Sequence, residues 1–193
     1  MNSNALPSSY DNNLPIVNVI GTITEQPNIK LPVNISIPNG HEFDFLLFAS
    51  GVQIYKCFVN KDIPNNWTLV MPDAYLVNDK RNQPFTPVVH HHFIQEPING
   101  GKVVWESIIK KDNSLVVAKD IAQNVSPNGP GNVLWLVLQV THHEGKGRFS
   151  DITYVLRVLT LGGVEPADDK CGTLYPDGAI VKIPYQSEYW FIK

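Results

Sequence analysis

The sequence predicts an all-β fold, an antiparallel β-sandwich with a barrel as the alternative, and three observations predict it. Short β-branched and aromatic runs alternate with Pro, Asn and Gly along the chain. No stretch sustains an apolar i, i+3, i+4, i+7 pattern with caps at its ends, so helices should be short or missing. At 193 residues and 43% hydrophobic content the chain can bury one core, and many short strands bury one face each by packing sheet on sheet or by closing on themselves.

Residues 1–15 are rich in Asn, Ser and Pro with almost no apolar spacing and are expected to form a flexible arm ahead of an all-β domain over 16–193, with long loops. Strand signals follow at Ile16–Thr24, Val33–Ile37, Phe43–Phe48, Val52–Val59 and Trp67–Val70. They continue at Val88–Ile94, Lys102–Ile109, Ser114–Ala118, Val133–Thr141, Ile152–Thr160, Ala179–Ile183 and Tyr189–Ile192. The nearly continuous apolar run Val133–Val140 and the more alternating Ile152–Val158 suggest a central hairpin around His142–Phe149, with Gly145 and Gly147 supplying backbone freedom. Prolines 64, 72, 84, 87, 97, 127, 130, 166, 176 and 184 are expected between or at the ends of strands, where a missing N–H does little harm. Ile121–Gly131 is the longest turn-rich connection and reads first as a surface crossover.

Charge excludes several classes of partner. Fifteen Lys and Arg against eighteen Asp and Glu give a formal charge of −3, with no basic stripe, so neither nucleic acid nor a membrane surface is an expected partner. Charged residues make up only 17%, which predicts a neutral, amide-rich surface. Six histidines can reverse that net charge on protonation, and the sequence pI of about 6.0 puts the weakest mutual repulsion in the range where histidine titrates. No window approaches the roughly 20 apolar residues of a membrane helix, and Met1 to Asn13 lack the apolar region of a standard secretory signal.

His90-His91-His92 is the most conspicuous motif. Strand alternation puts His90 and His92 on one face and His91 on the other, so a metal site would join that pair to His142 or His143 from another strand. No Asp or Glu sits at a matching offset in the run itself, and the preferred reading is a titrating patch without cofactor or metal. Catalytic alternatives fail on their motifs. There is no G-x-S-x-G elbow, Cys57 lies in an ordinary strand sequence, and neither Gly100-Gly101 nor Gly162-Gly163 leads into a helix that could hold a phosphate. Trp67, Trp105, Trp135, Trp190 and most tyrosines read as core with polar tips at the rim. Arg157 stands in an apolar strand and needs a partner, for which Glu106 and Asp151 are the candidates. Cys57 and Cys171 are compatible with two thiols, one internal bridge or cross-links to neighbouring molecules.

Spaced motifs over about residues 50–192 together resemble a domain of unknown function shared by bacteria and fungi. They comprise Gly51-x-Gln53-x-Tyr55-x-Cys57, Trp67 with Pro72-x-Ala74-x-Leu76, His92, Trp105-Glu106 and Asn113-Ser114-x-Val116. The C-terminal half adds Leu134-Trp135-Leu136-Val137-Leu138, Gly145-x-Gly147-x-Phe149, Thr153-Tyr154-x-x-Arg157, Thr160-x-Gly162-Gly163, Pro166, Cys171, Pro184-Tyr185 and Tyr189-x-Phe191. The family pattern has a cysteine at each position held here by Cys57 and Cys171, and the resemblance implies an oxidised bridge, within or between chains. His90 and His91 replace small residues of the pattern, so the histidine run is particular to this chain and no metal role is implied.

A fungal member of that family builds protein crystals that serve as gravity-sensing bodies in vacuoles. The resemblance therefore implies a non-enzymatic structural protein whose partner is itself, in a vacuole lumen or, as the alternative, secreted. A small-molecule-binding or metal-binding β-domain using His90–His92 is the competing expectation. Typical members resemble secreted proteins with signal peptides, from which the Asn/Ser/Pro start of this chain departs.

Overall fold

Ten of the twelve apolar runs condense into eight strands in the computed structural model, which describes residues 19–62, 64–80 and 85–193. The strands are β1 (Phe43–Phe58), β2 (Asn66–Val77), β3 (Val89–Ile98), β4 (Gly101–Ser107), β5 (Leu115–Asn124), β6 (Trp135–Glu144), β7 (Tyr154–Gly162) and β8 (Ile180–Ile192). Each pairs antiparallel with the next, and β8 pairs back onto β1, so the sheet closes into a barrel. The all-β antiparallel expectation is met in its barrel form rather than as the preferred sandwich. The arm over 1–15 lies outside the described residues.

Two strands long enough to bend make the closure possible. The Phe43–Phe48 and Val52–Val59 signals fuse into β1, and Ala179–Ile183 and Tyr189–Ile192 fuse into β8. Gly51 carries β1 through the point where its sequence seemed to break. A Cβ there would stand 2.2 Å from the Asp73 carbonyl oxygen, so only glycine lets β2 come this close. Pro72 and Pro184 lie inside β2 and β8, contrary to the expectation for prolines. Pro72 faces Gln53 beside the register shift at Ile54/Tyr55, where an irregular ladder dispenses with one N–H.

Alternation sends two sets of side chains to opposite faces. One end of the barrel interior is filled by Phe45, Leu47, Leu76, Val89, Val116, Val155 and Phe191, with Phe149 and Ile20 closing it from the connecting segments. Phe45 stacks on Phe191 with centroids 4.6 Å apart, and Phe149 packs 5.1 Å from Phe191. Outside the barrel, Leu46, Val137, Leu156, Trp190 and Ile192 form a second apolar layer over β1, β6, β7 and β8. It is covered by the segment before β1 through Ile23, Ile29, Leu31, Ile35 and Ile37. That segment is where two strands were expected; apart from an isolated bridge between Ile23 and Leu46, the described part runs as a strap of turns. Its Pro and Asn content leaves apolar anchors but no ladder.

Cys57 at the end of β1 is disulfide-bonded to Cys171, just after a single 3₁₀ turn at Asp168–Lys170. The bridge is within the chain, which decides the alternatives left open by the sequence. It spans a separation of 114 residues and pins the β7–β8 connection against β1 and β2, beside Tyr55, Trp67 and Tyr175.

Candidate functional site

The histidine run divides between the two sides of the barrel wall, as strand alternation requires. His90 and His92 face outward with ring centroids 4.7 Å apart. His90 stacks on Tyr75, and its Nε2 lies 3.0 Å from Asp73 Oδ1 on β2. His92 Nε2 lies 3.4 Å from Glu106 Oε2 on β4, while its Nδ1 donates to the Phe93 carbonyl at 3.1 Å. One ligand atom each from His90, His92 and Glu106 lie within 4.8 Å of one another, a set compatible with a divalent metal having N and O ligands. The carboxylate missing from the run's own sequence is thus supplied by the neighbouring strand, since His90 is the register partner of Glu106.

His142 and His143 do not join this group. They lie on β6, with β4 and β5 between them and β3, so rows of about 4.8 Å per strand keep the two groups apart. His143 Nε2 instead donates to the Ile152 carbonyl at 2.7 Å.

His91 points inward and is 2% exposed. Its Nδ1 faces the Val104 carbonyl at 2.8 Å and so carries the proton, which leaves Nε2 to accept from the Tyr189 hydroxyl at 3.0 Å. Tyr185 can donate in turn to Tyr189, at 3.4 Å. Burial pushes the His91 pKa down from 6.5 to about 3; the bond to Val104 opposes that fall, and the charges of Arg157, His92 and His90 add to it. His91 is therefore a neutral acceptor at the centre of the molecule. The same burial, with Tyr189 next in weight, holds the Tyr185 hydroxyl well above its ordinary value. Trp105 lies flat on His91, 4.7 Å between centroids, and edge-on to Tyr189 at 5.2 Å.

Arg157 lies beyond this aromatic layer, on β7 between its register partners Leu136 and Tyr189. Its Nε donates to the Leu134 carbonyl at 3.0 Å. The expected ion pairs with Glu106 and Asp151 do not form: Glu106 is on the barrel exterior beside His92, and Asp151 is exposed in the turn before β7. Among the described residues no carboxylate lies at ion-pair distance from Arg157.

Two hollows meet at Arg157. The inner one, about 270 Å³, lies among Leu69, His91, Phe93, Trp105, Leu136 and Tyr189. The outer one, about 530 Å³, lies among Tyr55, Trp67, Val125, Pro130, Val164 and Glu165, and both share Leu69, Leu134 and Arg157. The outer hollow is walled by Ser126, Gly129 and Pro130, from the turn-rich connection that the sequence marked as a surface crossover, by Asn132 and Val133 just after it, and by Val164 and Glu165, which follow the Gly162-Gly163 turn. Both glycines of that turn have positive φ, and Tyr55 donates its hydroxyl to the Gly163 carbonyl at 2.7 Å. Burial and then Glu165 push the Tyr55 hydroxyl above its ordinary pKa, while Arg157 pulls the other way.

Sequence reasoning missed Asp73 and Glu165 as parts of these sites. Asp73 was legible only through inter-strand register, because it meets His90 across neighbouring strands rather than along the chain.

No curated protein and no solved structure matches the chain. The family described as Protein of unknown function (DUF3455) matches residues 38–193, which takes in the whole barrel, the disulfide and both groups of site residues. The chain belongs to that family of proteins of unknown function.

Proposed function

We propose that this protein is a non-enzymatic structural protein that assembles with copies of itself into an ordered, dense body in a vacuole, as its likeness to the fungal crystal protein octin suggests. The observation that carries this reading is the character of the barrel's exterior. Large apolar residues stand in solvent on many elements, among them Val33, Phe58, Phe85, Val125, Leu161 and Leu174, on a chain with only 17% charged residues. Contacts in several directions are what a lattice needs, and a small net charge opposes them little.

The fold changes how such assembly would work. A closed barrel has no free strand edge, so growth by edge-to-edge pairing is not available to the barrel, and the internal disulfide leaves no described thiol for cross-linking. Among the described residues, contacts are left to side-chain surfaces. One of these is the exterior patch where His90 and His92 face Asp73, Tyr75 and Glu106. Light scattering and sizing between about pH 5 and pH 7.5 test the reading, with the largest particles expected near the sequence pI of about 6.0. Particles of the same size across the range, or a monomer throughout, would sink it.

A second reading, a metal-binding β-domain, is favoured by the convergence of His90, His92 and Glu106. Metal analysis of protein purified without a histidine tag separates the two. Stoichiometric metal that survives dialysis and is lost in His92→Gln supports the second reading.

A further inference from the structure

We infer that the polar half of the barrel interior is a binding site for a small organic carboxylate with an apolar body, held by Arg157 and Trp105. This goes beyond assembly and does not depend on it. Arg157 supplies the charge. Its Nε is committed to the Leu134 carbonyl, and the residue lines both the inner and the outer hollow, with no described carboxylate at ion-pair distance. A guanidinium offers a planar fork that matches a carboxylate.

A second, independent observation points to the same kind of ligand. Trp105 lines the inner hollow and is fully buried, yet its indole N–H has no hydrogen-bond partner. Buried donors without acceptors are uncommon and costly, and an acceptor oxygen brought by a ligand would satisfy it. Other polar groups in the hollow are already occupied or stand at its edge. His91 is neutral and spends both nitrogens on Val104 and Tyr189. Lys102, Asp120 and Glu165 are exposed, and Lys102 lies over the Phe93 ring at 4.4 Å. Leu69, Phe93, Leu136, Leu138 and the Tyr189 ring supply the apolar wall.

Size narrows the ligand further. An inner hollow of about 270 Å³ falls just below the roughly 300–1,000 Å³ of common small-molecule sites, so one ring or a short chain fits, with the outer hollow receiving any longer substituent. Eight-stranded barrels are wide enough to be filled by side chains or to hold one small ligand. This barrel does the first at one end and has room for the second at the other.

Calorimetric titration of the full chain with phenylacetate, and with phenylacetamide as its uncharged counterpart, tests the assignment. Phenylacetate is expected to bind and the amide to bind at least about tenfold more weakly, as a charge-assisted pair requires. Arg157→Leu should lower phenylacetate affinity about tenfold or more, and Trp105→Phe, which keeps the ring and removes the N–H, should lower it severalfold. Leu136→Trp, which fills the inner hollow, should abolish binding while circular dichroism shows the barrel intact. Equal binding of acid and amide, binding that survives both Arg157→Leu and Leu136→Trp, or no binding of phenylacetate or of the slimmer hexanoate would overturn the proposal.

Discussion

The two ends of the barrel interior are built from the same alternating strands and do opposite things. At one end Phe45, Phe149 and Phe191 interlock with Leu47, Val89 and Val155, and every one of these side chains is essentially removed from water. At the other end the inward positions carry Gln53, Tyr55, His91, Arg157, Tyr185 and Tyr189, and two hollows remain. Gln53 Nε2, Trp105 Nε1 and Ser187 Oγ are buried there or beside it without partners. Each such group costs roughly 1–3 kcal/mol. A fold that tolerates this at one end must draw its stability from the other. The difference teaches that closure of the sheet and contents of the barrel are separable, and that the packed end carries the fold while the polar end is open to a role in binding.

Mutations at the packed end should therefore weigh most. Phe191→Ala removes a ring in contact with Phe45, Phe149 and Trp105 and is expected to cost about 3–5 kcal/mol in denaturant unfolding. Leu136→Ala, beside an existing hollow, should fall at or below the roughly 2 kcal/mol low end for such truncations; equal losses at the two sites would erase the distinction. The disulfide comes next. Replacing Cys57 and Cys171 together by Ser should cost roughly 2–5 kcal/mol, and non-reducing electrophoresis should show no interchain species before or after.

His91 contributes a pH dependence with a definite sign. Its pKa is near 6.5 unfolded and about 3 folded, so below about pH 6.5 the unfolded chain takes up a proton that the folded chain refuses. Stability from this group is full above pH 6.5 and falls, by up to about 1.4 kcal/mol per pH unit, as the pH drops toward 3. His91→Gln should remove about one proton from the acid-side slope of unfolding free energy against pH. An unchanged slope would mean that His91 is not held neutral.

Much of the barrel was legible in the sequence, and what escaped has physical causes. Alternation in the Val88–Ile94 run assigned His91 and its neighbours to opposite faces, which is what β3 shows. The breaks at Ser50-Gly51 and Pro184 were misread as strand ends, because a glycine or proline at a barrel bend serves close approach or a ladder irregularity as readily as it ends a strand. Val33–Ile37 has the composition of a strand but spends Ile35 and Ile37 on covering the exterior of other strands, a tertiary role that composition does not distinguish. The site was less visible. The sequence shows that Arg157 in an apolar strand needs an explanation but not which groups surround it, because its neighbours across the barrel depend on register, which the chain does not spell out locally.

The most direct test of the two-ended account is the unfolding free energy of Arg157→Leu measured beside that of Phe191→Ala. Removing the guanidinium loses one hydrogen bond to Leu134 but also relieves a half-buried, unpaired charge, so the account predicts a change within about 1 kcal/mol in either direction. A loss for Arg157→Leu as large as that for Phe191→Ala would contradict it, for Arg157 would then hold the barrel together rather than wait at its open end.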